Sequence, residues 1–177
     1  MIIIRSAQHV DWTYITDVIE SAFSDEESPV ILTLAHDFST KNNSASIKPL
    51  VAELNGKIVG YICYSPIEMT SSSNVSGFIL APLAVSLEYQ KQGIGSKLIQ
   101  HGIEMLSKEG ADVLLVYGDP NYYGRFGFTE SVGRAFIPPY PLAHPFGWTG
   151  MMLNTTKLPH PAEGFSCVDA LANPEMW

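Results

Sequence analysis

The spacing of apolar and polar residues predicts alternating strands and helices along the first forty residues. A short apolar run predicts a strand over Ile2–Arg5, and apolar residues at about 3.6-residue spacing predict a helix over Val10–Ala22. The apolar stripe of that helix comprises Val10, Ile15, Val18, Ile19 and Phe23. Proline fits the first turn of a helix, so Pro29 predicts a second helix that continues to about Asp37. The polar stretch Ser39–Ser46 predicts a loop.

A hairpin is predicted next. Asn55-Gly56 separates two apolar segments, Leu50–Leu54 and Lys57–Ile67, and a type I′ turn needs a positive φ at both turn positions. The second arm is apolar on both faces, which is typical of a central strand. The serine-rich segment Thr70–Ser76 leads to a fourth predicted strand, Phe78–Val85.

The middle of the chain predicts a strand, a helix and another strand. Pro82 cannot donate to a strand ladder, so it predicts an edge, a bulge or a splay within the fourth strand. The stretch Ile94–Glu109 is apolar along one side and predicts a helix that ends at Gly110. Val113–Tyr117 has the apolar composition of a buried fifth strand.

The remaining residues predict two further strands and a tail. Phe128–Val132 is expected to be the sixth strand and Trp148–Asn154 the last one, joined by an irregular proline- and aromatic-rich lid at 138–148. We expect one α/β (α+β) domain over residues 1–155. Residues 156–177 are then a C-terminal extension packed on its surface.

A glycine turn carries the first chemical signal. Gln90-Lys91-Gln92-Gly93-Ile94-Gly95 lies between the fourth strand and the third helix. Glycines let the backbone approach a ligand closely, and free amides at a helix N-terminus favour anionic oxygens such as those of a pyrophosphate. The P-loop pattern fails because Gly95 is followed by Ser96, and the dinucleotide pattern fails because Leu98 stands where a third glycine is needed.

Two ordered motifs resemble the GCN5-related N-acetyltransferase (GNAT) superfamily. The first is Gln/Arg-x-x-Gly-x-Gly, matched by Gln90, Gly93 and Gly95. The second, Gly-Asp-Pro-x-Tyr-Tyr-x-x-Phe-Gly-Phe at residues 118–128, looks like the YhbS-type subgroup of bacterial N-acetyltransferases. The resemblance implies a mixed, mostly antiparallel sheet of six to seven strands, splayed between strands four and five and flanked by about four helices.

The same resemblance implies acetyl-CoA as cosubstrate and a set of binding residues. Backbone groups of the fourth strand would pair with the pantetheine arm, and the glycine loop would hold the pyrophosphate. These positions are Leu83, Ala84, Val85, Gln90, Lys91, Gln92, Gly93, Ile94, Gly95 and Ser96. Asn121 is a further candidate for a hydrogen bond to the cofactor arm, or it is only a helix cap.

A tyrosine is the implied general acid for the departing thiolate. Its position, four residues before the glycine of the Gly-Phe pair, matches Tyr123, with Tyr122 as competitor. Adjacent helical residues point about 100° apart, so only one of the two can face the sulfur.

The general base stays open. Many family members carry a glutamate in the fourth strand, whereas Phe78–Val85 contains no carboxylate. Glu68 or the cluster Asp25-Glu26-Glu27 could serve instead, or the cluster could be a solvated turn. Asp119 could orient a ligand or simply start a turn.

Composition limits the partners. The 177 residues carry a formal charge of −8, which disfavours nucleic acid, and no apolar run approaches the length of a membrane span. Two distant cysteines and five scattered histidines lack the spacing of a metal site, so no metal is expected. The N-terminus does not resemble a signal peptide, and we expect a cytoplasmic protein.

The leading hypothesis is an N-acetyltransferase that acts on a primary amine of a small molecule or peptide by direct attack in a ternary complex. The acceptor cleft is expected among the variable loops 21–29, 70–76 and 138–148, and a homodimer is possible in this fold. An alternative is a non-catalytic acyl-CoA-binding sensor or interaction domain. A third reading is an α/β protein whose glycine loop is purely structural.

Overall fold

The computed structural model describes residues 1–40, 46–71, 74–154 and 157–177. These residues form two compact units, residues 1–64 with 81–102 and residues 65–80 with 103–177. Parts of the predicted loops 39–46 and 70–76 lie outside the described residues, as does the predicted domain boundary at 155. The division into residues 1–155 and 156–177 therefore stays a prediction.

The first unit combines an antiparallel sheet with helices. Its elements are β1 (Ile2–Ser6), α1 (Trp12–Ala22), α2 (Ser28–Thr40), β2 (Lys48–Leu54), the first part of β3 (Lys57–Met69) and the start of α3 (Ile94–Lys108). β1 and β3 both pair with β2 in antiparallel register. The hairpin prediction is confirmed, since Asn55 has a φ of 51° and Gly56 a φ of 80°.

The first helix begins two residues later than the apolar pattern predicts. His9–Asp11 forms a 3₁₀ turn, and Val10 is 71% exposed instead of lying in the apolar stripe. The Asp11 carboxylate accepts the Gln8 N–H at 2.7 Å, and the Arg5 guanidinium donates to both of its oxygens at 2.6 and 2.9 Å. These contacts fix the backbone before the helix, so the buried face starts only at Ile15.

The apolar side of α3 is buried as predicted. Ile94, Leu98 and Ile99 are at most 1% exposed, and Gly110 follows the helix with a φ of 86°. The buried Tyr64 hydroxyl donates to the Leu98 carbonyl at 3.2 Å. A β-carbon at residue 102 would overlap the Tyr64 ring, so this helix needs glycine there.

The second unit is organised around a parallel pair of strands. Its elements are the first part of β4 (Gly77–Val85), β5 (Val113–Tyr117), α4 (Pro120–Tyr123), α5 (Glu130–Gly133), β6 (Phe136–Ile137), β7 (Trp148–Met152) and β8 (Glu163–Cys167). β5 runs parallel to β4 and antiparallel to β7. The pairing with β4 ends at Leu80, two residues before Pro82, which is where the sequence predicted an irregularity.

The prediction of a sixth strand at Phe128–Val132 is wrong. The Thr129 side chain accepts the Val132 N–H and caps α5, so the chain turns into a short helix. Gly133 then passes so close to β7 that a β-carbon would lie 2.5 Å from the Trp148 carbonyl oxygen. The strand that does form is β6, four residues further along.

The C-terminal residues contribute a strand and buried side chains. β8 pairs antiparallel with Ile67–Met69 of β3 and parallel with β6. Phe165 and Leu171 are each 3% exposed, and the Trp177 indole N–H donates to the Leu171 carbonyl at 2.9 Å. The C-terminal segment therefore contributes a strand and buried side chains to the second unit, whereas the sequence predicted only a segment packed on the surface.

The predicted fold class, a mixed and mostly antiparallel sheet with helices, is confirmed. Over the described residues there are eight strands and five α-helices, against six to seven strands and about four helices predicted. None of the helices in this described part is long and apolar enough to cross a membrane.

We expect Asp11→Asn to lower the free energy of unfolding at pH 7 by about 2 kcal/mol, because hydrogen bonds to charged groups contribute roughly 1.5–3 kcal/mol. The hydrogen bonds from Arg5 hold the pKa of Asp11 below its usual value. A carboxyl with a lowered folded pKa stabilises the fold above its unfolded pKa of about 3.9, and this stability is lost as the pH falls through the folded pKa.

Urea unfolding of wild type and Asp11→Asn at pH 7, 5 and 3 tests this prediction. The difference in unfolding free energy should be complete at pH 7 and pH 5 and smaller at pH 3. Glu130→Gln is the control, because the Glu130–Arg134 ion pair is solvent-exposed and should matter by less than about 1 kcal/mol. An equal difference at all three pH values would contradict the assigned role of Asp11.

Candidate active site

The glycine loop of the first unit has the geometry of an anion-binding turn. Lys91 and Gly93 have positive φ values of 60° and 81°, and α3 begins directly afterwards at Ile94. The Lys97 N–H donates to the Gly93 carbonyl at 3.0 Å. This is the first main-chain bond of the helix, so the amides of residues 94–96 precede the helical ladder and can serve a ligand.

The Gln90 side chain fastens this loop to the end of β4. Its Nε2 donates to the Val85 carbonyl oxygen at 3.0 Å. Two residues later, the exposed Gln92 donates through Nε2 to the Glu88 carbonyl at 3.1 Å. Gln90 therefore has a structural task in addition to the backbone contacts expected from the motif.

Lysines outnumber carboxylates on the loop and its flanks, although the whole chain is acidic and the exposed Glu88 precedes the loop. Lys91 and Lys97 are exposed on and just after it. The Lys57 ammonium lies 5.1 Å from the centroid of the Tyr89 ring, one residue before Gln90. Local charge of this sign favours an anionic ligand.

The strand residues predicted to bind the cofactor arm belong to the same unit as the loop. Ala84 is 2% exposed, whereas Leu83 and Val85 are half-buried, as expected for alternating faces of a strand. The other predicted site residues, Asn121, Tyr122 and Tyr123, belong to the second unit.

Asp119 starts the short helix α4. Its Oδ1 accepts the Asn121 N–H at 2.9 Å, and its carbonyl accepts the N–H groups of Tyr122 and Tyr123 at 3.1 and 3.0 Å. The helix-starting role considered for Asp119 is thus present. The Asn121 side chain does not supply the cap, and this residue is exposed.

Tyr123 is held by close packing. A β-carbon at Gly118 would lie 2.6 Å from its ring, and the Phe128 ring meets it edge-on at 5.7 Å. Burial, with smaller contributions from Tyr122 and Asp119, raises the pKa of Tyr123 well above 10. Its hydroxyl is therefore protonated at neutral pH and can donate a hydrogen bond.

Tyr122 has different neighbours. The Arg125 guanidinium lies 4.5 Å from the centroid of the Tyr122 ring and donates through Nε to the Tyr122 carbonyl at 3.2 Å. The two tyrosine rings contact each other edge-on, with centroids 5.1 Å apart and an interplanar angle of 85°. The choice of Tyr123 over Tyr122 stays a prediction.

A cavity of about 370 Å³ opens where β5 ends. It is lined by Tyr117, Gly118, Asp119, Pro120, His144, Phe146 and Gly147. Two hydrogen bonds hold its walls together. The His144 N–H donates to the Tyr117 hydroxyl at 2.8 Å, and the Gly118 N–H donates to the Gly147 carbonyl at 3.0 Å.

The sequence did not single out Tyr117, His144 or Phe146. Tyr117 looked like the last residue of a buried strand, and the histidines showed no useful spacing. The aromatic and proline content of residues 138–148 was the available signal, and it predicted a shaped lid without naming its chemistry.

The candidate bases are placed as follows. The Glu27 carboxylate accepts hydrogen bonds from the Ser24 hydroxyl at 2.7 Å and the Ser24 N–H at 3.3 Å, so it closes the turn that precedes α2. Its neighbours Asp25 and Glu26 are exposed in the first unit. Glu68 is an exposed residue near the end of β3, opposite Ser166 of β8.

Over residues 1–40, 46–71, 74–154 and 157–177, no group of three or more histidine, cysteine or acidic side chains could hold a metal ion. Both cysteines are free thiols. Burial raises the pKa of the Cys63 thiol far above its usual value and that of Cys167 to a smaller extent. At neutral pH both are therefore in the unreactive, protonated form.

The family follows from comparison with known sequences. Residues 46–130 match the family model for the acetyltransferase (GNAT) domain. The uncharacterized N-acetyltransferase YjhQ of Escherichia coli (strain K12) is 32% identical over 163 residues, which cover 90% of this chain and 88% of YjhQ. The chain belongs to the GNAT acetyltransferase family. This confirms the family and the acyltransferase class predicted from the two motifs.

Solved structures show the same fold. The YhbS N-acetyltransferase from E. coli, crystallised with CoA, matches with a TM-score of 0.83 and 24% identity over 97% of this chain and 92% of its own. A GNAT acetyltransferase from Brucella melitensis, crystallised with acetyl-CoA, matches with a TM-score of 0.70 and 25% identity over 97% and 98%. YhbS is also 29% identical to this chain over 102 residues, 60% of its own length.

The bond between His144 and Tyr117 gives a direct structural test. Tyr117→Phe leaves the His144 N–H without its acceptor, and a lost hydrogen bond of about 1 kcal/mol corresponds to roughly fivefold faster amide exchange at residue 144. Hydrogen–deuterium exchange with peptide resolution measures this change. Tyr14→Phe, which removes the hydroxyl of a 55% exposed tyrosine, should leave that exchange unchanged. Equal exchange in all three proteins would show that the bond does not hold the loop.

Proposed function

We propose that this protein transfers the acetyl group of acetyl-CoA to a primary amine of a small molecule or peptide, by direct attack in a ternary complex. The observation that carries the proposal is the start of α3, where three amides follow a turn with positive φ at Lys91 and Gly93. Such a turn can receive the pyrophosphate of a CoA ester. Family membership and the acetyl-CoA in the Brucella relative support this assignment.

The chain offers binding groups for the pyrophosphate and for the pantetheine arm of the cosubstrate. The amides of Ile94, Gly95 and Ser96 donate to pyrophosphate oxygens, with Lys91, Gln92 and Gly93 shaping the turn. Gln90 keeps that turn against Val85 through its 3.0 Å hydrogen bond. By resemblance to the family, the backbone of Leu83, Ala84 and Val85 pairs with the pantetheine amides, and Asn121 binds the arm.

The reaction is balanced without a covalent intermediate on the protein. The acceptor ammonium first loses a proton to a base or to solvent. The nitrogen lone pair then attacks the thioester carbonyl carbon, a C–N bond forms, and the C–S bond breaks with its electron pair going to sulfur. The amide nitrogen loses its second proton and the CoA thiolate gains one, which gives the acetylated amine and free CoA thiol.

Tyr123 is assigned the hydrogen bond to the departing sulfur. The raised pKa of Tyr123 keeps its hydroxyl protonated, as this role requires. A thiol has a pKa of about 8.5, so a tyrosine with a raised pKa is the weaker acid and full proton transfer to the thiolate is unfavourable. Tyr123 therefore stabilises developing charge on sulfur, and solvent completes the protonation.

The second candidate is an acyl-CoA-binding sensor without catalysis. The lack of a carboxylate in residues 78–85 favours it, because many family members place a glutamate there. This candidate predicts binding of acetyl-CoA without thiol release. The cytoplasmic location, the homodimer and the low affinity for nucleic acid also stay predictions.

Gly95→Asp tests the pyrophosphate site. An aspartate places negative charge against the phosphates, and like charges in contact cost several kcal/mol, so we expect at least about 100-fold weaker acetyl-CoA binding by calorimetry. An acidic residue in the first turn of a helix is itself favourable, so α3 should stay folded. Gln100→Ala is the control, since it changes an exposed residue of α3 outside the loop. If Gly95→Asp binds acetyl-CoA as tightly as wild type, the glycine loop does not contact the pyrophosphate.

Tyr123→Phe tests the leaving-group assignment. We expect kcat to fall by about 10–100-fold with little change in the KM for acetyl-CoA, because general acid and hydrogen-bonding groups contribute on this scale to the transition state. Free thiol release over pH 7–10 is the measurement. The raised pKa of Tyr123 predicts that this hydroxyl contributes no alkaline limb in that range, so the loss should be equally large throughout. Tyr122→Phe is the matched control, and an equal loss there would contradict the choice of Tyr123.

A further inference from the structure

The cavity at the end of β5 has walls that are fixed by close backbone contacts. A β-carbon at Gly147 would lie 2.9 Å from the Gly118 carbonyl oxygen and 3.2 Å from the Tyr117 ring. Glycine at 147 therefore lets the segment that leads into β7 approach the residues at the end of β5. The two hydrogen bonds described above then hold this approach, so the cavity is a built feature of one unit.

The chemistry of the lining is uneven. Tyr117, Pro120 and Phe146 are the aromatic and apolar residues of the lining. Asp119, whose Oδ1 also caps α4, is its one acidic residue and His144 its one basic residue. Phe146 is 64% exposed, and its ring contacts the His144 ring at a centroid distance of 5.7 Å. An aromatic ring that the protein core does not bury is available for a ligand. The volume of about 370 Å³ lies within the usual range for small-molecule sites.

We propose that this cavity binds the acceptor as a monoamine, namely a primary ammonium group joined by a short linker to a flat apolar group. The role of the occupant as acceptor rests on the proposed acetyl transfer. The Asp119 carboxylate offsets the single positive charge, and Phe146 and Tyr117 contact the apolar group. Aromatic faces and edges make favourable contacts with both flat groups and cations.

Competing acceptor classes fit this lining less well. A polyamine carries several positive charges and would leave most of them without a carboxylate in the cavity. An amine that bears a carboxylate or phosphate would bring like charge towards Asp119. A short alkylamine would pair with Asp119 but would leave the aromatic wall unused.

Two variants separate the charge from the ring. Asp119→Asn removes the charge and keeps the helix cap, because asparagine caps helices as well as aspartate does. Phe146→Ala removes the aromatic surface. Glu130→Gln is the matched control for the charge, and Ile137→Ala, at a 53% exposed residue outside the cavity, is the matched control for exposed apolar surface.

Calorimetry with the full chain in saturating CoA measures binding of three probes: 2-phenylethylamine, 2-phenylethanol and propylamine. We expect 2-phenylethylamine to bind at least about tenfold more tightly than either of the others. 2-Phenylethanol lacks the ammonium group that pairs with Asp119, and propylamine lacks the ring that contacts Phe146 and Tyr117. Asp119→Asn and Phe146→Ala should each weaken 2-phenylethylamine by about tenfold, and the two controls should bind it like wild type. Asp119→Asn should leave 2-phenylethanol unchanged.

Equal binding of 2-phenylethylamine and propylamine, no binding of any probe, or wild-type binding by both cavity variants would overturn the inference. A parallel assay of thiol release from acetyl-CoA distinguishes this failure from failure of the proposed function. If thiol release depends on amines but is unaffected by either cavity variant, the protein is an acetyltransferase whose acceptor does not bind in this cavity. If 2-phenylethylamine binds selectively but no amine causes thiol release from acetyl-CoA, the cavity is an amine site and the proposed acetyl transfer is wrong.

Discussion

Strand β5 is hydrogen-bonded on both edges for four residues and on one edge for the fifth. Val113–Val116 pair with β4 as well as with β7, whereas Tyr117 pairs only with Trp148 of β7. Buried backbone N–H and C=O groups need hydrogen-bond partners. The chain can therefore leave the strand and form a turn only where the pairing of β5 with both β4 and β7 ends. Gly118 and Asp119 follow at once, and the cavity, α4 and Tyr123 all depend on that position.

The two units carry different chemistry. The first offers backbone amides, lysines and a glutamine that fixes the loop, which are the groups an anionic cosubstrate requires. In the second, the cavity offers aromatic rings and one acidic residue, and α4 carries a protonated tyrosine hydroxyl. A negative total charge is therefore compatible with the proposed binding of acetyl-CoA, since the local charge at the loop differs from the total.

Local signals predicted local structure well. The Asn55-Gly56 turn, the glycine end of α3 and the glycine turn before α3 each depend on a few adjacent residues, and the sequence was sufficient to predict their backbone. The errors come from contacts between distant residues. Val10 is not part of the buried helix face because the ion pair of Arg5 with Asp11 fixes the backbone before the helix. Residues 130–133 form α5 instead of the predicted strand because Thr129 caps that helix and Gly133 packs closely against β7. His144 lies in the cavity wall because its N–H donates to the Tyr117 hydroxyl, 27 positions away in the sequence. A short-range sequence pattern cannot predict this contact.

The aromatic cluster of the second unit gives the protein an internal optical probe. Trp148 directly follows Gly147 of the cavity wall, and its ring lies 6.0 Å from that of Phe165 and 5.7 Å from that of Trp177. Indole emission depends on the polarity and packing around the ring. A ligand that shifts the Gly147 backbone would thus alter the emission of Trp148, so events in the cavity can be followed by intrinsic fluorescence without attaching a label.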